Sequence, residues 1–130
     1  MIIVHGTFPI KGSQREDALQ IMRRMAVASQ SEFGCISYEF YIGLSDPNTL
    51  LLFQEWESVE ALHDHFETKH MDEFLRDIPG ILDGQVSTRR YEVRVAQGGS
   101  IDQQELNHGS QHDSYEKMIY LLCWLGTCQR

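Results

Sequence analysis

Three histidines, His63, His65 and His70, fall within eight residues in the stretch FQEWESVEALHDHFETKH at positions 53–70. Imidazoles this dense offer two chemistries: metal ligation, and proton transfer near neutral pH, since the free pKa is about 6.5. Metal ligands on one helix must recur three or four residues apart to share a face. His63 and His65 are two apart and point to nearly opposite sides, while His65 and His70 are five apart with a helix break expected between them. No cysteine is near, and Asp64 turns away from His65. The spacing therefore predicts no metal site. His108 and His112 stand four apart, but Gly109 and Ser110 between them predict exposed side chains in a polar linker. For proton transfer, helical phase decides. His65 shares the inward side with Ala61 and Leu62, whereas His63 falls with Glu60 and Glu67 on the wet side. An inward histidine is costly unless its nitrogens find partners. Phase alone leaves His65 either a satisfied core residue or a proton-transfer group.

The elements that must position these side chains can be read from the pattern. Residues 2–8 (IIVHGTF) form a strand, and Ser13 with Glu16 matches a capping box. Leu19, Met22, Met25, Ala26 and Ser29 then recur at helical spacing until Gly34 ends the helix. A second strand spans 35–42, a turn of type SDPN follows at 45–48, and a third strand spans 49–56. Ser58 caps a second helix carrying Ala61, Leu62, His65 and Phe66. A short helix is expected near 71–78 and a last strand over 85–95. The order β-α-β-β-α-β predicts an α+β fold of the ferredoxin-like type. Helices then cover one sheet face only, yet the strands look apolar on both. Leu50, Leu52 and Trp56 alternate with Leu51 and Phe53; Ile36, Tyr38, Phe40 and Ile42 alternate with Cys35 and Tyr41. A second copy packed sheet to sheet, a homodimer, is the economical cover.

Composition narrows the partners. A chain of 130 residues suits one domain with a real core. A formal charge of −8 argues against nucleic acid and anionic membrane surfaces. No apolar run approaches the roughly 20 residues that cross a bilayer, and the N-terminus runs straight into a strand rather than a signal peptide. Cys35, Cys123 and Cys128 fit neither a zinc ribbon nor a redox pair, so a reduced, cytoplasmic protein is expected. The domain is expected at 1–95. Residues 96–130 read as a polar linker, to about 114, followed by a short apolar tail that either docks on the partner subunit or over a cavity, or is non-native or poorly ordered.

Residues 1–95 resemble the antibiotic biosynthesis monooxygenase (ABM) domains, closest to the bacterial quinol monooxygenase type. The resemblance rests on the element order, on Lys11-Gly12, on GCISYEFY at 34–41, and above all on QEWESVEALHDHFETKHM at 54–71 with its E-W-x-S start and H-x4-H ending. It implies a dimeric α+β barrel with a pocket between sheet and helices in each subunit. It also implies oxidation of a small electron-rich aromatic, a quinol or phenol, by dioxygen, in this family often without metal, flavin or haem. Such chemistry needs a base, a hydrogen bond for the resulting anion and a dry aromatic pocket. His65 and His70 match the paired histidines and are expected to be catalytic. Tyr38, Trp56, Phe66 and Phe74 are expected to wall the pocket, with His5 facing the same cavity. Glu55 is expected to pair with Arg89 or Arg90. The same fold also hosts an isomerase of a phosphorylated signal, for which Arg23, Arg24 and Lys69 are candidate contacts, as well as haem-degrading relatives and non-catalytic stress modules. His5 stands where the haem-degrading type carries an asparagine, which weakens that alternative.

Overall fold

The computed structural model describes residues 1–96. The expected tail, including its apolar run at 118–125, lies outside the described residues. Strand β1 (Ile2–Pro9) leads into helix α1 (Arg15–Gln30), then strands β2 (Cys35–Ile42) and β3 (Thr49–Trp56). Helices α2 (Val59–Phe66) and α3 (Lys69–Asp77) follow, and β4 (Ser87–Glu92) closes the order. The strands form one antiparallel sheet in the order β2-β3-β1-β4. This is the α+β, ferredoxin-like arrangement predicted from the pattern.

The pleat turns alternate residues to opposite faces. Ile2 and Phe8 of β1, Tyr38 of β2, and Leu50, Leu52, Gln54 and Trp56 of β3 are buried on the helix face. They meet Ala18, Met22, Met25 and Ala26 of α1, Ala61 and Leu62 of α2, and Phe74 of α3 in one core. No element among the described residues covers the opposite face. There Glu39, Phe53, His5 and Arg89 form one cross-strand row, and Leu51 and Tyr41 pair in the next. Leu51, Tyr41 and Tyr91 are exposed on that side.

Three local expectations change. The capping box of Ser13 and Glu16 does not form, because residues 12–14 make a separate 3-10 turn and Gln14 becomes the N-cap of α1 without a side-chain bond. In β2 a bulge between Cys35 and Ser37 breaks the alternation, so Ile36 is exposed rather than aligned with Tyr38. Glu55 accepts a 2.8 Å bond from the Ser37 hydroxyl, not from an arginine. By contrast, Ser58 caps α2 as expected, accepting from the Ala61 amide at 3.1 Å. Thr68 caps α3 in the same way, accepting from the Met71 amide at 3.3 Å, and its hydroxyl donates to the His65 carbonyl at 2.7 Å. The break between α2 and α3 is thus built by one residue that ends one helix and starts the next.

Candidate active site

The site grows outward from β3. Trp56 and Gln54 both face the helices, and the Trp56 indole N–H donates to Gln54 Oε1 at 2.6 Å. That bond satisfies two polar groups in an otherwise apolar layer. Tyr38 meets Trp56 edge-on, with centroids 6.5 Å apart. From α2 the His65 ring lies 4.9 Å from Trp56 and 5.4 Å from Tyr38, and the residue is only 1% exposed. Its Nδ1 is 2.7 Å from Glu32 Oε2. The Thr68 break brings His70 of α3 back toward the same place, so that His70 Nε2 is 2.8 Å from the same Glu32 oxygen.

Glu32 sits in the short connection from α1 to β2, and this connection is pinned. The Glu32 amide donates to the Ser29 carbonyl at 3.1 Å, and the Cys35 amide donates to the Glu32 carbonyl at 3.2 Å. Gly34 has φ +80, and a Cβ there would stand 2.5 Å from Ala61 Cβ. Only glycine lets the loop press this closely on α2, which is what carries the Glu32 carboxylate to the two imidazoles.

An ionised carboxylate only accepts hydrogen bonds. With Glu32 ionised, both histidines donate to it: His65 through Nδ1–H and His70 through Nε2–H. The lone pairs are then His65 Nε2 and His70 Nδ1. Burial pushes the His65 pKa below its ordinary value; the bond and charge of Glu32 pull it up, and His70 adds a small downward push. Burial wins, so His65 is neutral at neutral pH. Burial also holds the Tyr38 phenol far above its ordinary value, aided by the Glu32 charge, and so keeps it protonated. The Ser29 hydroxyl opposes that rise but lies outside hydrogen-bond geometry. Cys35 is pushed up to about 11, by burial first and Glu32 second, and stays a thiol.

Glu32, His65 and His70 each offer one donor atom within 4.8 Å of the others. Two imidazoles and a carboxylate are a donor set that zinc or ferrous iron accepts. Helical spacing did not foresee this grouping, because it takes the helix break and a residue from another element to make it. Here the three atoms are engaged with one another by hydrogen bonds.

A cavity of about 390 Å³ lies between α1 and α3, lined by Ile21, Arg24, Met25, Ala28, His70, Glu73, Phe74, Arg76 and Asp77. The pocket was expected between sheet and helices. That space is instead filled by the packed rings of Tyr38, Trp56 and His65, all nearly without exposure. Of the expected site residues, His70 and Phe74 line the cavity. His65 reaches it only through Glu32 and His70. Tyr38 and Trp56 wall in His65 rather than an open space. Phe66 lies 5.8 Å from the His65 ring and is 46% exposed. His5 is on the wrong face for this cavity. Ile2 and Phe8 turn inward, so His5, at odd parity, turns to the open sheet face. There it stacks on Tyr91 with centroids 5.3 Å apart and bonds the Tyr91 hydroxyl at 3.1 Å. Sequence reasoning missed Glu32 and Gln54. The one available signal for Glu32 was an acid two residues before a glycine in a tight helix-to-strand connection.

Comparison with known proteins agrees with this fold. The family model described as antibiotic biosynthesis monooxygenase matches residues 1–77. The chain belongs to the antibiotic biosynthesis monooxygenase family. A stretch of 96 residues is 31% identical to sll1783 of Synechocystis, covering 74% of this chain and 65% of that protein, so the match spans less than two thirds of that relative. YcnE of Bacillus subtilis, provisionally named a monooxygenase, is 24% identical over 93 residues, covering 72% of this chain and 98% of its own. Among solved structures, Rv0793 of Mycobacterium tuberculosis superposes with a TM-score of 0.69 at 21% identity, covering 75% and 98% of the two chains. A Deinococcus radiodurans protein, provisionally named for the ABM family, gives 0.71 at 22% identity, covering 77% and 99%. At these identities the structures support the fold alone.

Proposed function

We propose that this ABM protein is a monooxygenase that oxidises a small quinol or phenol with dioxygen, using no metal, flavin or haem of its own. The observation that carries it is a histidine–carboxylate–histidine array, on an ABM fold, with one histidine lining a cavity. Dioxygen reacts slowly with closed-shell molecules, but a hydroxylated aromatic becomes a strong electron donor once it loses a proton. A neutral imidazole supported by a carboxylate can take that proton. The balance for a quinol is closed: quinol plus dioxygen gives a hydroxyquinone plus water. One oxygen atom enters the ring, the other leaves as water, and the substrate supplies all four electrons.

Other activities of the fold find less support. Arg24 and Arg76 at the cavity are offset by Glu73 and Asp77, which does not favour a phosphorylated substrate. His5 and His70 lie on opposite sides of the sheet, so they do not form the paired contacts a haem reading needs. The uncovered sheet face, where Leu51, Tyr41 and Tyr91 are exposed beside Glu39, His5 and Arg89, supports a homodimer with the sheets packed together. No helix among the described residues is long and apolar enough to cross a membrane, and the cysteine usage supports a cytoplasmic location.

The test is oxygen uptake with a reduced naphthoquinone in metal-free buffer. Saturable uptake above autoxidation is expected. No uptake above the blank, with a Soret band on adding haem, would overturn this function.

A further inference from the structure

We infer that Glu32 is a positioning residue that aims His70, rather than His65, at the substrate, the inference resting on the function proposed above. Among the three side chains, only His70 lines the α1–α3 cavity. Its side chain is 25% exposed, against 14% for Glu32 and 1% for His65. A molecule in that cavity can reach His70 without displacing any core residue. Reaching His65 would require Tyr38, Trp56 or Glu32 to move.

The shared oxygen determines which nitrogen of each ring is available. Glu32 Oε2 lies 2.7 Å from His65 Nδ1 and 2.8 Å from His70 Nε2. It therefore holds a proton on each of those atoms, leaving Nδ1 of His70 as the base. The proton step balances simply. The substrate hydroxyl gives its proton to His70 Nδ1, forming an aryloxide and an imidazolium. The imidazolium keeps its Nε2–H on the Glu32 carboxylate, a charge-assisted bond that strengthens as the charge forms. His65, wedged between Trp56 and Tyr38, donates the second bond and fixes the carboxylate from behind. The backbone adds its own restraint through the Ser29 and Cys35 bonds on either side of Glu32. A base whose partner carboxylate is held from two directions costs little reorganisation when it acts.

The arrangement makes a statement about protons that can be read without turnover. In a long-range proton–nitrogen correlation spectrum of the full chain labelled at histidine nitrogen, His65 is expected as the Nδ1–H tautomer and His70 as the Nε2–H tautomer. Glu32→Gln, which keeps the shape and removes the charge, is expected to mix the His70 tautomers, and Glu32→Asp to restore them in part. Titration with 2-naphthol is expected to move His70 Nδ1 more than His65 Nε2. On an oxidised substrate, His70→Ala is expected to lose about 10²–10⁴-fold in kcat, and His65→Gln about 10-fold or less. The inference is overturned if His65 carries its proton on Nε2, if Glu32→Gln leaves the His70 tautomer unchanged, or if 2-naphthol shifts His65 alone or neither ring up to its solubility limit. Stoichiometric Zn²⁺ binding at submicromolar concentration that shifts both rings would also overturn it, since the three atoms would then be metal ligands. Failure of oxygen uptake would sink the proposed reaction while leaving the tautomer result intact, so the two failures are distinguishable.

Discussion

Replacing His65 with alanine should cost far more stability than replacing His63, although the two stand two residues apart on one helix. His65 is 1% exposed and its ring packs against Trp56 and Tyr38. It also donates a 2.7 Å bond to Glu32. A hydrogen bond to a charged group contributes about 1.5–3 kcal/mol. Truncating a buried aromatic ring costs about 3–5 kcal/mol when the space does not collapse. An imidazole is smaller and pays desolvation to be buried, so the two terms do not add in full, and a loss of about 2–4 kcal/mol is expected. For a domain of this size each kcal/mol lowers Tm by about 4–8 °C. His63 is exposed, and His63→Ala should stay within about 0.5 kcal/mol of wild type. Urea melts at pH 7.5 would measure both, with the midpoint moving and the slope unchanged. A His65→Ala loss below about 0.5 kcal/mol would refute the placement of His65 in the packed layer.

Four further outcomes are expected. Burial holds the His65 pKa below its ordinary value of about 6.5, so the unfolded chain binds this proton more readily. The stability of neutral His65 is complete above about pH 6.5 and is lost as pH falls below it toward the lowered native value, by up to ~1.4 kcal/mol per pH unit; urea midpoints from pH 7.5 to 5 should show this, and His65→Gln should flatten it. Gly34→Ala combines a φ of +80 with a 2.5 Å approach to Ala61, so it should destabilise by about 1–3 kcal/mol and release the His70 tautomer, whereas a neutral melt and an unchanged spectrum would contradict the role of that loop. Sedimentation at micromolar concentration should give about twice the 15.0 kDa chain mass, and a chain ended after Val95 should keep its dimer; a monodisperse monomer in the first case, or aggregation in the second, would count against the sheet-to-sheet dimer and the domain limits.

Much of the fold was legible because it depends on local pattern. Alternation in β3 and the helical phase of Ala61, Leu62 and His65 sorted inward from outward side chains, and Ser58 marked the start of α2. The misses are of another kind. The β2 bulge and the 3-10 turn before α1 depend on how neighbours pack, so no short window contains them. Glu32 meets His65 across 33 positions of sequence, and nothing within its own connection announces two imidazoles. The inward–outward parity of β1 was readable, and it would have placed His5 on the open face. The expectation that family-like residues share one pocket led away from it. The position of the cavity depends on the packing of α1 against α3, which the hydrophobic pattern does not set.

Labelled dioxygen tests the central claim most directly. With ¹⁸O₂ and a reduced naphthoquinone, a monooxygenase places one heavy atom in the product, and mass spectrometry should show a single added ¹⁸O, with formation dependent on His70 and indifferent to His63. An unlabelled quinone accompanied by stoichiometric hydrogen peroxide, or label that enters from water, would contradict it.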